Sequence, residues 1–237
     1  MHLTGYLVLL AAAAAMAMSQ KECVAQYGNA ECLPRLARCR LGADDVRDAN
    51  ALLADCGGNA DIVHLFLEEA RTVQPALDVP ARVRELHVHG GSLEGCGWRL
   101  CTPTTLNITL VGVALAGDCM QPLLMAPEKV TALVISGGSV ACAGGAQPWL
   151  VLRSAKLTMT HVKAVTGSRF LDGSDLLAVH ISDNRFDVRP LPDDPADATL
   201  LQLGVRQDAE VITCRNEIVN GAKRAMNVGG AATLVPC

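Results

Sequence analysis

Residues 176–186 read Leu176-Leu-Ala-Val-His-Ile-Ser-Asp-Asn-Arg-Phe186, an eleven-residue frame with apolar side chains at its fourth, sixth and eleventh positions. The same frame fits segments beginning at Ile62, Val83, Thr105, Val130, Ser154 and Asp208, so successive starts lie 21, 22, 25, 24, 22 and 32 residues apart. Its fourth position runs Leu65, Leu86, Ile108, Leu133, Leu157, Val179, Val211, and its sixth Leu67, Val88, Leu110, Ile135, Met159, Ile181, Thr213. With Thr72, Leu93, Leu115, Val140, Ala164, Phe186 and Ile218 at the eleventh, 19 of 21 frame positions are apolar in a chain that is 50% hydrophobic. A period of this length marks a solenoid, in which each turn buries its apolar edge against its neighbours alone.

The segments between frames repeat as well: Gln121-Pro-Leu-Leu-Met125 returns as Gln147-Pro-Trp-Leu-Val151, each shortly before the next strand. At the ninth position Asn184 and Asn216 offer amides that satisfy backbone groups in the turn leaving the strand. Ala70, Gly91, Val113, Gly138 and Val162 stand there in the other frames, so their turns rely on neighbouring backbone or water. The fold expected first is an α/β-type solenoid with parallel strands on one face. A right-handed parallel β-helix, which also stacks short apolar strands at regular intervals, is the alternative.

Residues 1–19 carry an apolar run from Tyr6 to Met18 and a small-residue exit at Ala15-Met-Ala17, the features of a secretory signal too short to span a bilayer. All ten cysteines follow it, and an even count in an exported chain implies disulfides. Residues 20–61, with Cys23, Cys32, Cys39 and Cys56, are expected to cap the solenoid of residues 62–218, in one of three connectivities. Residues 219–237 form a short C-terminal cap. Cys96, Cys119 and Cys142 fall at nearly the same place in their repeats, and stacked strands about 4.8 Å apart bring such a column within disulfide reach. The expected pairs are Cys119 with Cys142, Cys96 with Cys101, and Cys214 with Cys237.

If the fourth and sixth positions point inward, the third, fifth and seventh face outward on the same sheet. The later half of that face gathers Lys156, Thr158, Thr160, His161, Lys163, His180, Ser182 and Arg185 around an apolar strip at Val111 and Val134, a mixture suited to a ligand-binding surface. His87 and His89 alternate on one strand with Glu68 expected beside His89, three residue types that hold divalent metals, although paired surface histidines are common and no metal is assigned. Asn107-Ile-Thr109 is the sole glycosylation acceptor sequence, with Asn107 outward. Arg189-Pro-Leu-Pro-Asp-Asp-Pro195 accounts for the long final spacing as a stiff, exposed excursion. A net charge of -4 without a basic run gives no footprint for nucleic acid. Nucleophile elbow, phosphate loop and His-Glu-x-x-His motifs are absent, and no cofactor is expected.

With a signal, cysteine-containing ends and a frame spelled most clearly at Val179-His-Ile-Ser-Asp-Asn-Arg-Phe186, the chain resembles extracellular leucine-rich repeat proteins. The resemblance implies a secreted recognition protein, not an enzyme, that binds a protein or microbial-surface ligand through its sheet in signalling, adhesion or innate immunity. The competing expectation is a parallel β-helix that binds or cleaves polysaccharide. Two Trp, two Tyr and three Phe provide few stacking rings for that role.

Overall fold

The computed structural model describes residues 34–42, 48–68, 71–73, 76–94, 98–101, 106–117, 124–125, 130–141, 148–189, 198–221, 224–230 and 233–235. The period-two alternation of the frame makes a strand at each start: β2 (Ile62–Leu67), β5 (Glu85–His89), β8 (Leu106–Val111), β11 (Val130–Ser136), β14 (Lys156–Thr160) and the second halves of β16 (Leu171–Ser182) and β18 (Thr199–Cys214). With β1 (Leu36–Leu41) before them and β21 (Thr233–Val235) after, they stack in parallel as a first face. A second, seven-stranded parallel sheet comprises β3 (Arg71–Val73), β6 (Ser92–Glu94), β9 (Ala114–Ala116), β12 (Ser139–Ala141), β15 (Lys163–Thr166), β17 (Arg185–Val188) and β19 (Glu217–Val219). A third face is built by β4 (Ala76–Asp78), β7 (Trp98–Cys101), β10 (Leu124–Met125), β13 (Leu150–Arg153), the first halves of β16 and β18, and β20 (Arg224–Gly229).

The molecule is thus a parallel-strand β-solenoid, mostly sheet, whose turns visit three faces. This fits the β-helix alternative better than the α/β-type repeat expected first. The physical reason lies between the frames, where the chain runs two to four residues per strand between corners, as in Leu150–Arg153 with Leu150 and Leu152 buried. Such pieces are too short to nucleate a helix but long enough to bond to the turns above and below. Among the described residues the helix is α1 (Ala49–Gly57), which follows β1. Asp48 caps it by accepting from the Ala51 N–H at 2.6 Å, Leu52 and Leu53 are buried, and a Cys39–Cys56 disulfide ties it to β1. No described helix is long and apolar enough to cross a membrane.

Leu86, Ile108, Leu133, Leu157, Val179 and Val211 align strand by strand, as do Val88, Leu110, Ile135, Met159, Ile181 and Thr213. The first frame alone is displaced by two residues, because Val63 rather than Leu65 pairs with Leu86. Its eleventh position is still in place, Thr72 opposite Leu93, so the two extra residues sit in the corner after β2. The repeated Gln-Pro segments also stack, Leu124 on Leu150 and Met125 on Val151. Apart from Thr213 the aligned inward residues are all buried, each contributing roughly 1.5–3 kcal/mol of transfer free energy. Trp149, Phe170 and Phe186 fill the interior at ring separations of 4.7 and 5.0 Å.

After each first-face strand from β5 to β18 the chain takes a left-handed residue: Gly90, Gly112, Gly137, His161, Asp183 and Arg215, with φ between 50° and 70°. Asn184 and Asn216 act as expected one residue further on. Asn184 accepts from the Val162 N–H at 2.9 Å and donates to the Met159 carbonyl at 3.0 Å, while Asn216 donates to the Ile181 carbonyl at 2.8 Å. A backbone bond between successive turns recurs whether or not the amide is there: Ala114 N–H donates to the Gly91 carbonyl, Lys163 N–H to that of Gly138 and Glu217 N–H to that of Asn184.

Candidate functional site

Parallel, in-register pairing turns the outward positions of the first face into rows that run along the solenoid axis. One row is Arg38, His64, His87, Thr109, Val134, Thr158, His180 and Ile212; its neighbour is Arg40, Phe66, His89, Val111, Ser136, Thr160, Ser182 and Cys214. A third contains Glu85, Asn107, Ala132, Lys156, Ala178 and Glu210. From Thr109 to Thr158 in the first of these rows and from Val111 to Thr160 in the second no side chain is charged, and Val111 is 38% exposed; Lys156 stands in the third row of the same stretch.

At the start of this face four rings stack. His64 lies 4.5 Å from His87 and 5.3 Å from His89, and Phe66 lies 4.7 Å from His89, the two ring planes in each of these three pairs being within 14° of parallel. His64 Nδ1 and His89 Nε2 are 3.0 Å apart, a hydrogen bond whose donor depends on the tautomer. The Arg40 guanidinium sits 5.3 Å from the Phe66 ring and 2.7 Å from Glu68. Burial first, then the neighbouring His87, holds the pKa of both His64 and His89 below the ordinary imidazole value; His89 and Arg38 lower His64 further, while Glu85 opposes. The expected trio of His87, His89 and Glu68 does not form. The displaced first frame puts Phe66 opposite His89, and Glu68 turns to Arg40. No group of three or more His, Cys, Asp or Glu among the described residues is arranged to hold a metal.

The residues expected to bind ligand divide among three environments. Lys156, Thr158, Thr160 and His180 share the first face, where Thr160 Oγ1 lies 3.4 Å from Ser136 Oγ. Ser182 belongs to the same row but is only 3% exposed. His161 stands in the left-handed corner, and beyond it Lys163 and Arg185 lie side by side on the second face, with Arg185 3.2 Å from Glu217. Asn107 is exposed and accepts from the Thr131 hydroxyl at 2.7 Å. Cys214 is disulfide-bonded. Cys23, Cys32, Cys96, Cys119, Cys142 and Cys237 lie outside the described residues, as do residues 1–19 and the prolines after Arg189; the Cys101 side chain is likewise not described.

Away from the first-face rows two acids are held by arginines. Asp175 takes a two-pronged bond from Arg206 at 2.7 and 2.6 Å, and Asp183 one from Arg215 at 2.6 and 2.8 Å. These bonds, helped at Asp175 by Ser154, hold both carboxyls at about 2. A groove of about 230 Å3 beside the third face is lined by Pro148, Arg169, Leu171, Asp172, Thr199 and Gln202. Sequence reading missed both the ring stack and this groove. His64 was available in the sequence as a third imidazole, but the frame set it at the third, outward position in the row of Glu85, whereas the structure pairs it with His87.

No protein-family model, curated protein or solved structure matches the chain.

Proposed function

We propose that the chain is an exported, non-catalytic recognition protein that binds a protein or microbial-surface ligand along the outward face of its first sheet. The roles that fit are adhesion, signalling or innate immunity. What supports this is the alignment of three outward rows on one sheet, imidazoles and guanidinia at one end, two rows of hydroxyls and small apolar groups in the middle with Lys156 flanking them, and His180 beyond. A continuous sheet holds these groups at fixed spacing, so an extended ligand meets them with little ordering cost. The functional class implied by extracellular leucine-rich repeat proteins carries over to this sheet, although the chain between the strands follows a β-helix path. A glycan on Asn107 would shade part of the face and leave the later rows open.

Affinity capture with the mature chain tests this reading. Val134→Arg and Thr158→Glu should abolish capture of the ligand that the wild-type chain retains, while Val165→Lys on the second face should keep it. Loss confined to the second-face variant would move the site.

The second reading, polysaccharide binding or cleavage, is favoured by the groove that brings Arg169, Asp172 and Gln202 together beside the third face. Release of reducing ends from a polysaccharide by the wild-type chain and not by Asp172→Asn would establish it.

A further inference from the structure

The ring stack at the start of the first face is not needed to hold the sheet together. The strands beneath it are paired along their length, and Val63, Leu65, Leu86 and Val88 are buried on the inner side. What the rings add is capacity for protons. In the 3.0 Å bond between His64 Nδ1 and His89 Nε2 one ring donates and the other accepts. A first proton leaves that bond in place and makes it charge-assisted, whereas a second removes its acceptor, so the two rings titrate as a pair.

The charged groups around them are few. β1 contributes Arg38 and Arg40, β5 contributes Glu85, and Glu68 stands just past β2; β8 presents only Asn107, Thr109 and Val111. Arg40 is paired with Glu68, and Glu85 lies 3.6 Å from His87 Nε2. Two guanidinia against two carboxylates leave this pole near neutral while the rings are neutral, and each proton taken up makes it cationic.

We propose that this pole is a proton-gated binding site for an anionic polysaccharide, engaged as the imidazoles charge beside Arg38 and Arg40. The inference rests on the reading of the first face as the ligand surface and names the ligand's class. Three observations favour a glycan over an acidic peptide. The ring-bearing strands β2 and β5 have neighbours on both sides, so they offer no free backbone for strand addition. Among the described residues the large apolar side chains exposed on this part of the face are Leu36 in β1 and Val111 in β8, single residues on opposite sides of the rings, so a peptide would find no contiguous apolar patch to anchor a side chain. The donors recur at the spacing of adjacent strands, about 4.8 Å, close to the rise of one pyranose along an extended chain.

The test uses the mature chain with heparin fragments and polygalacturonate oligomers as probes, by calorimetry at pH 5.5 and pH 7.5 in fixed salt. Binding should be about tenfold tighter at the lower pH for at least one probe, and the two probes distinguish sulfate from carboxylate as the preferred anion. Heats measured in buffers of different ionisation enthalpy should show proton uptake on binding. The ring-preserving double variant His64→Phe, His89→Phe should fold by circular dichroism and lose the pH dependence, and Arg38→Gln with Arg40→Gln should weaken binding at both pH values. Equal affinity at the two pH values, pH dependence that survives in the Phe variant, or poly-glutamate binding as tightly as both glycans would overturn the proposal. If Val134→Arg still abolishes capture while the Phe variant changes nothing, the pole fails and the face reading stands. If glycan binding follows the rings while Val134→Arg is silent, the wider face reading fails.

Discussion

Ile181 and His180 are chain neighbours in β16 with opposite surroundings, Ile181 fully buried and His180 half-buried on the outward row. Ile181→Asp places an unpaired charge between stacked turns and is expected to cost several kcal/mol, enough to abolish the urea transition of a marginal domain, whereas His180→Asp should keep the wild-type midpoint. That contrast was legible in sequence from the frame alone, as was Asn184, because a buried amide at the end of an apolar alternation has backbone groups to satisfy. The ring stack was not legible, since it depends on which residues of two adjacent strands meet. His64 and His89 also make a pH prediction. Their folded pKa values lie below the ordinary 6.5, so the unfolded chain binds protons more readily. The stability they contribute is complete above that value and is lost as pH falls through it toward their folded pKa values. Melting temperatures at pH 7.5 and 5.5 should therefore differ less in the His64→Phe, His89→Phe variant than in the wild type; an unchanged difference would show that these rings do not titrate with folding.

At the scale of elements, register on the first face could be read because two inward positions per strand fix it, and a one-residue slip would expose every apolar side chain. The second and third faces could not. Their strands are mostly two to four residues long and offer one or two apolar positions each, such as Leu115 in β9 or Val140 in β12, too few to show a period. Lys163 and Arg185 were placed with Thr158 and His180 because the alternation was carried through a corner; the left-handed residues His161 and Asp183 turn the chain there and present both cations on another sheet. At the N-terminal end, α1 is held to β1 by Cys39–Cys56, which closes a loop of 17 residues. Replacing both cysteines by Ser should cost about 3 kcal/mol, read as a lower thermal midpoint, with hydrogen exchange quickening in β1 and α1 before β11 and β14. Uniform quickening along the whole stack would contradict a locally acting tie.

For the molecule as a whole, ion pairs among the described residues concentrate at the ends and corners of the stack. Asp175 and Asp183 are engaged by Arg206 and Arg215 at corners, and Arg185 by Glu217 on the second face, while two outward rows in the middle of the first face are left to hydroxyls and small apolar groups. A solenoid gains no enclosed cleft by adding turns, but each turn extends the rows on its surface, so recognition of an extended ligand is what this architecture serves best. The claim is tested most directly by covalent footprinting of the mature chain with and without its captured ligand. Protection of His64, His87, Thr158 and His180 along the first face is expected, with Lys163 and Arg185 labelled equally in both states. Protection confined to Lys163, Arg185 and Glu217, with the first-face rows unchanged, would contradict it.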